Sequence, residues 1–152
     1  MEIKRKQNLD SSKVNQSAAG KKKNASFYYL QGIQNYKEGN KKDAERDFSD
    51  GITANENDAI AYFNRGTFYL REKRYKEGID DFLKAVKLNP KFAEAYYNLA
   101  CCYVQILSFR EGISCLKKAV KHEQIFAQLA EKDPDFFNVN RMKEFKEALM
   151  SI

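Results

Sequence analysis

The chain has 152 residues, of which 43% are hydrophobic and 32% charged, with only seven Gly and two Pro. That length can bury one core without metal or disulfide staples, and the composition excludes a disordered chain and favours helices over a sandwich or barrel. The net charge of +6 does not mark a nucleic-acid-binding fold. Residues 1–24 hold seven basic side chains against Glu2 and Asp10, and the rest of the chain is nearly balanced.

In residues 1–24, Ile3, Leu9 and Val14 are too sparse to form a helical face. Lys4-Arg5-Lys6 and Lys21-Lys22-Lys23 stand among Ser, Asn and Gln, so this stretch reads as a disordered basic tail. No apolar run follows the first basic cluster, and no stretch reaches the ~20 residues of a membrane span. The three cysteines, Cys101, Cys102 and Cys115, lack framework spacing. Free thiols in a reducing compartment, and hence a cytoplasmic protein without membrane insertion, are the expectation.

From Ala25 onward the sequence repeats with a period of 34 residues. Units 59–92 and 93–126 agree at 13 of 34 positions, and unit 25–58 agrees with the middle one at 8, mostly at apolar and small residues. Each unit changes apolar phase once, which predicts two helices and a turn. In the middle unit Tyr62, Gly66 and Tyr69 share one face, and Ile79, Phe82, Val86 and Leu88 share the next before Asn89-Pro90. Gly32, Gly66 and Ala100 recur at one place, and Ala44, Gly78 and Gly112 at another. A helical Gly costs about 1 kcal/mol relative to Ala, so its recurrence predicts close helix crossings, with Gly66 opposite Gly78.

Residues 127–152 read as a C-terminal cap over the apolar end of the array. The run 125–132 suits a short helix or a continuation of the preceding one. Asp133-Pro134-Asp135-Phe136 breaks it, and 141–150 carries Met142, Phe145 and Leu149 as a last amphipathic helix.

Tyr62, Gly66, Tyr69, Phe82, Ala85 and Pro90 resemble the tetratricopeptide repeat signature, with Arg65 and Gly78 as departures. The third unit is similar through Tyr96, Leu99, Ala100, Tyr103, Gly112 and Ala119, and the first through Tyr28, Gly32, Ala44 and Phe48. The resemblance covers 25–126. It implies an all-α, right-handed α-α superhelix of three helix-turn-helix repeats followed by a capping helix region. It also implies a concave groove lined by the first helix of each unit.

The places facing that groove in the family correspond to Tyr29, Phe63 and Tyr97, and to Tyr36, Leu70 and Val104. Ile33, Thr67 and Cys101 lie between them, Asn64 and Asn98 stand at one further place, and Lys37, Arg71 and Gln105 form the edge. The implied role is a protein-binding scaffold or adaptor that takes an apolar or helical segment of a partner by burial and backbone hydrogen bonds. Self-assembly into a homo-oligomer through the repeats is the second reading. Relatives that clamp the carboxylate tail of heat-shock chaperones need Lys, Asn and Arg where this chain has Tyr29, Ile33, Asn64, Glu94 and Asn98. Only Asn64 agrees, so that tail is not an expected partner.

No motif for catalysis, a cofactor or a phosphate is present, and no enzyme activity is expected. Cys101, Cys102, Cys115 and His122 are ligand types, but adjacent cysteines diverge by about 100° on a helix, so no metal site is expected.

Overall fold

In the computed structural model, residues 24–150 are described. The tail expected over 1–24 lies outside them except for Asn24, which belongs to the fold as the cap of the first helix, its Oδ1 accepting from the Phe27 N–H at 2.9 Å. Three helix pairs follow one another: α1 (Ala25–Lys37) with α2 (Lys41–Ala54), α3 (Ala59–Arg71) with α4 (Tyr75–Leu88), and α5 (Ala93–Gln105) with α6 (Phe109–His122). Then come α7 (Ile125–Lys132), a 3-10 turn at Pro134–Phe136, and α8 (Lys143–Leu149). The fold is an all-α solenoid in which α1, α3 and α5 form the inner row.

The three turns inside the units are built alike. Gly39, Lys73 and Leu107 all have positive φ, 83°, 58° and 64°. The next N–H returns to a carbonyl five residues back: Asn40 to Asn35, Arg74 to Tyr69 and Ser108 to Tyr103, each at 2.9 Å. This is the left-handed helix stop that satisfies the last carbonyls of a helix. Only the first unit uses the residue that adopts it without strain.

Close crossings follow the small residues. A Cβ on Gly66 would meet the Phe82 ring at 2.9 Å, and one on Gly32 would meet Phe48 at 2.8 Å. Gly78 lies against the Gly66 carbonyl, as the pattern predicts, and also against the Cys102 thiol. Unit two is tied to unit one by the Phe48–Phe68 ring contact, 5.6 Å between centroids, and by Glu45, which accepts from Tyr69 Oη at 3.0 Å and Arg74 Nη1 at 2.7 Å. Buried Asp81 accepts two bonds from Arg65, both 2.8 Å, and Arg65 also donates to Ser49 Oγ at 3.2 Å.

The C-terminal cap differs in detail from its expected form. The chain at Glu123 is extended, φ −144° and ψ 111°, as it is at Asn55 and Asn89, so α6 stops on the repeat period without a proline and α7 is a separate helix. The last helix begins at Lys143, because Met142 is extended (φ −70°, ψ 141°). Phe145 is buried as expected, and its ring lies 5.7 Å from that of Phe136.

Candidate concave binding site

Six of the eleven groove residues named from the sequence line one open cleft of about 240 Å³ between α1 and α3: Tyr29, Ile33, Tyr36, Phe63, Asn64 and Thr67. Phe48 and Phe68 form its floor and Arg71 its rim. Thr67 Oγ1 donates to the Phe63 carbonyl at 2.8 Å. Tyr36 closes one side, with its Oη donating to Glu72 Oε1 at 3.1 Å. Burial first, and then that bond, raise the Tyr36 phenol above its ordinary value. Glu72 is itself held below the usual carboxylate range by Lys41, 2.7 Å away.

A second cleft, of about 360 Å³, shares Tyr29, Phe63 and Asn64 and adds Ile60, Phe92, Asp58 and Glu94. Tyr29, Phe63 and Asn64 thus border both clefts. Phe92 and Ile60 were not named from the sequence, although Phe92 and Phe126 stand one period apart and could have signalled a paired role.

The remaining predicted residues do not line this cleft. Leu70 packs into the main core and Val104 is fully buried, with its Cγ2 at the α5–α6 crossing beside Gly112. Asn98 is half-buried, its Nδ2 3.4 Å from Thr67 Oγ1. Tyr97 and Cys101 are 8% and 2% exposed because the chain's own C-terminal segment lies over them.

That segment makes specific contacts. Tyr97 Oη donates to Asp133 Oδ2 at 2.6 Å, and its ring has Phe126 at 4.9 Å and Phe136 at 5.5 Å. Gln105 Nε2 donates to the Asp135 carbonyl and Oδ1, both 3.3 Å. Ligand-type atoms of Cys101, Asp133 and Asp135 come within 4.8 Å of one another. Both oxygens of Asp133 already accept, Oδ1 from the Asp135 N–H at 3.0 Å and Oδ2 from Tyr97 Oη. Burial, above all, pushes the Cys101 thiol well up and raises the Asp135 carboxyl above its ordinary value. His122 is elsewhere, exposed and stacked on Tyr96 at 5.9 Å.

Family models described as Tetratricopeptide repeat match residues 59–92 and 82–114. Among solved structures, YrrB, described as a TPR protein with an unusual peptide-binding site, is 25% identical with a TM-score of 0.64. That match covers 73% of this chain but 58% of YrrB, so this chain spans less than two thirds of that protein. The first TPR of Spaghetti (RPAP3) bound to HSP90 peptide SRMEEVD is 20% identical, with a TM-score of 0.64 and coverage of 84% here and 94% there. MamA is 21% identical, with a TM-score of 0.68 and coverage of 92% and 83%. No curated protein matches the chain. With the repeat register, the paired helices and these likenesses together, the chain is a tetratricopeptide repeat protein.

Proposed function

We propose that this protein is an interaction module that holds a segment of a partner protein in the concave cleft of its first two units. The observation that carries this reading is the contrast between units. Tyr29 and Phe63 stand open on α1 and α3, whereas Tyr97, one period further on, is covered by chain. Aromatic side chains left open along one concavity are a costly surface unless something covers them. Tetratricopeptide repeats generally mediate protein–protein interaction, and YrrB and the RPAP3 domain are both described with bound or bindable peptides. The heat-shock carboxylate tail is a poor fit, since Glu94, lining the neighbouring cleft, stands where a clamp needs a cation.

Affinity capture from a native lysate with wild type and with Phe63→Ala tests this. A partner held in the cleft loses about 2 kcal/mol, about thirtyfold, when a central ring is cut away. Asn64→Ala should cost about 1 kcal/mol, through one lost hydrogen bond. Circular dichroism of both variants checks that the fold persists. Partners that remain at wild-type level with Phe63→Ala would remove the cleft as the site. A mass that rises with protein concentration, and falls back in Phe63→Ala, would make the partner a second copy.

A further inference from the structure

The third unit displays what the concave face accepts, because residues 133–136 of the chain occupy it. Tyr97 is the counterpart of Phe63, one 34-residue period on. Both rings carry the same neighbour in the same pose: Phe63 has Phe92 at 4.8 Å and 37°, and Tyr97 has Phe126 at 4.9 Å and 34°. Tyr97 then has one ring more on its concave side, Phe136 at 5.5 Å and 67°. Phe63 has only Phe82 of its own helix pair besides Phe92 among the described residues, and it borders open cleft instead.

The polar contacts follow the same register. Gln105, which donates to Asp135, is replaced by Arg71 in unit two and by Lys37 in unit one. Arg71 lines the cleft, is exposed, and has no ion pair among the described residues, while neighbouring Glu72 is already held by Lys41. A neutral carboxamide that meets a carboxylate in unit three is thus a guanidinium in unit two. Guanidinium binds carboxylate with charge and with two parallel donors.

We propose that the cleft between α1 and α3 takes an acidic–aromatic segment of a partner protein, with a Phe or Tyr ring on Phe63 and the adjoining carboxylate on Arg71, in the manner of Asp135-Phe136 on Tyr97 and Gln105. The inference rests on the cleft reading above and names the chemistry of its partner. Asp58 and Glu94 line the neighbouring cleft, so they set the direction of the ligand, with its acidic end toward the C-terminus of α3. Charge then contributes to affinity beside apolar burial, which the uncharged ladders alone do not provide.

The probe is a fluorescently labelled peptide with the sequence of residues 131–138, read by anisotropy against the full chain. Two altered peptides accompany it, one with both Asp replaced by Asn and one with the ring of Phe136 replaced by Leu. The acidic–aromatic peptide should bind, and each altered peptide should bind at least tenfold more weakly. Arg71→Glu in the protein should weaken it at least tenfold and added salt several-fold. Arg71 is exposed, so its replacement leaves the melting temperature unchanged. Peptide binding that survives both Arg71→Glu and Phe63→Ala would mean exchange into unit three and overturn the proposal. So would the lack of any such binding at about 1 mM peptide. Equal binding of all three peptides, still lost with Phe63→Ala, would overturn the acidic–aromatic chemistry while leaving the cleft reading intact.

Discussion

A Cβ on Gly66 would lie 2.9 Å from Cε1 of Phe82, and the corresponding distance from Gly32 to Phe48 is 2.8 Å. In the third unit both members of the pair change: Ala100 stands in place of the glycine and Leu116 in place of the ring. Glycine and phenylalanine are therefore one packing device, and alanine with leucine is another.

This pairing predicts a compensating double mutant. Gly66→Ala should destabilise the middle unit by about 1–2 kcal/mol, since overpacking outweighs the gain in helix propensity. Phe82→Leu alone should also destabilise, by leaving space beside Gly66. Together they should cost less than the sum by about 1 kcal/mol, as contacting residues do not act independently. Chemical denaturation of the four proteins measures the coupling, and strict additivity would refute the pairing.

Arg65 and Asp81 offer the same test with charge. Their places in unit three are Leu99 and Cys115, which are both buried. Removing one partner, as in Asp81→Ala, leaves a half-buried guanidinium without its carboxylate and should cost about 3 kcal/mol. Replacing both, Arg65→Leu with Asp81→Cys, should be close to neutral, because the third unit already packs that pair. A double replacement as damaging as the single one would show that Arg65 matters chiefly through Ser49 and the first unit.

The fold was readable because the period survives in residues that pack, such as Tyr62, Gly66, Phe82 and Ala85. Other features were hidden because their chemistry is not periodic. Lys73 and Leu107 occupy a left-handed position that only Gly39 advertises. Gln124 withholds the proline that marks the end of α4, yet the backbone at Glu123 turns as it does at Asn89. The places matched by register in units one and two border the open cleft, except Leu70, whereas those of unit three are largely covered. Tyr97 and Cys101 carry the same register as Phe63 and Thr67. What covers them is a single non-repeating run, Asp133-Pro134-Asp135-Phe136, whose docking place no internal comparison can reveal. Tyr36, Leu70 and Val104 share one register, yet of these Tyr36 lines the open cleft while Leu70 packs against the core and Val104 is fully buried, so the period alone does not tell an open place from a covered one.

The turn at Leu107 predicts a stabilising change. Leu107 has φ 64° and is 69% exposed, so it bears the strain of the left-handed region and buries little in return. Leu107→Gly should raise stability by about 1 kcal/mol, and Lys73→Gly should act in the same direction. Gly39→Ala should lower it. Thermal melts of the three variants check the sign, and a loss of stability with Leu107→Gly would mean that its side chain is held by contacts of its own.

Alkaline pH should weaken the fold. Burial pushes the Cys102 thiol up to about 12, the Cys115 thiol up to about 11 and the Tyr69 phenol up to about 12. In the unfolded chain the thiols ionise near pH 8.5 and the phenol near 10. Above those values the unfolded state loses protons that the folded state keeps, so stability is full below about pH 8 and falls as pH rises toward the folded values. A melting temperature that held steady from pH 8 to pH 11 would contradict the burial of these groups.

The C-terminal segment should open separately from the three helix pairs, and Cys101 should report it. All three thiols are buried, and the reactive species is the thiolate, so native protein near pH 8 should be alkylated slowly at every cysteine. Cys101 differs from the others in what covers it. The segment around Asp133 and Asp135 lies over it, whereas Cys102 faces Gly78 at the crossing with α4. Phe136→Ala removes a ring that is 1% exposed and wedged between Tyr97 and Phe145, at a cost of about 3–5 kcal/mol. Because much of that cost falls on contacts with the cap, the segment should detach before the helix pairs separate. Tyr97→Phe removes only the 2.6 Å bond to Asp133 and should produce a smaller version of the same effect, about 1.5–3 kcal/mol. Mass-spectrometric mapping after alkylation should find Cys101 labelled at least tenfold faster in Phe136→Ala, with Cys102 and Cys115 unchanged. Equal acceleration at all three cysteines would mean that the cap and α5–α6 unfold as one unit. No acceleration at Cys101 would mean that the segment over Tyr97 does not shield the third unit.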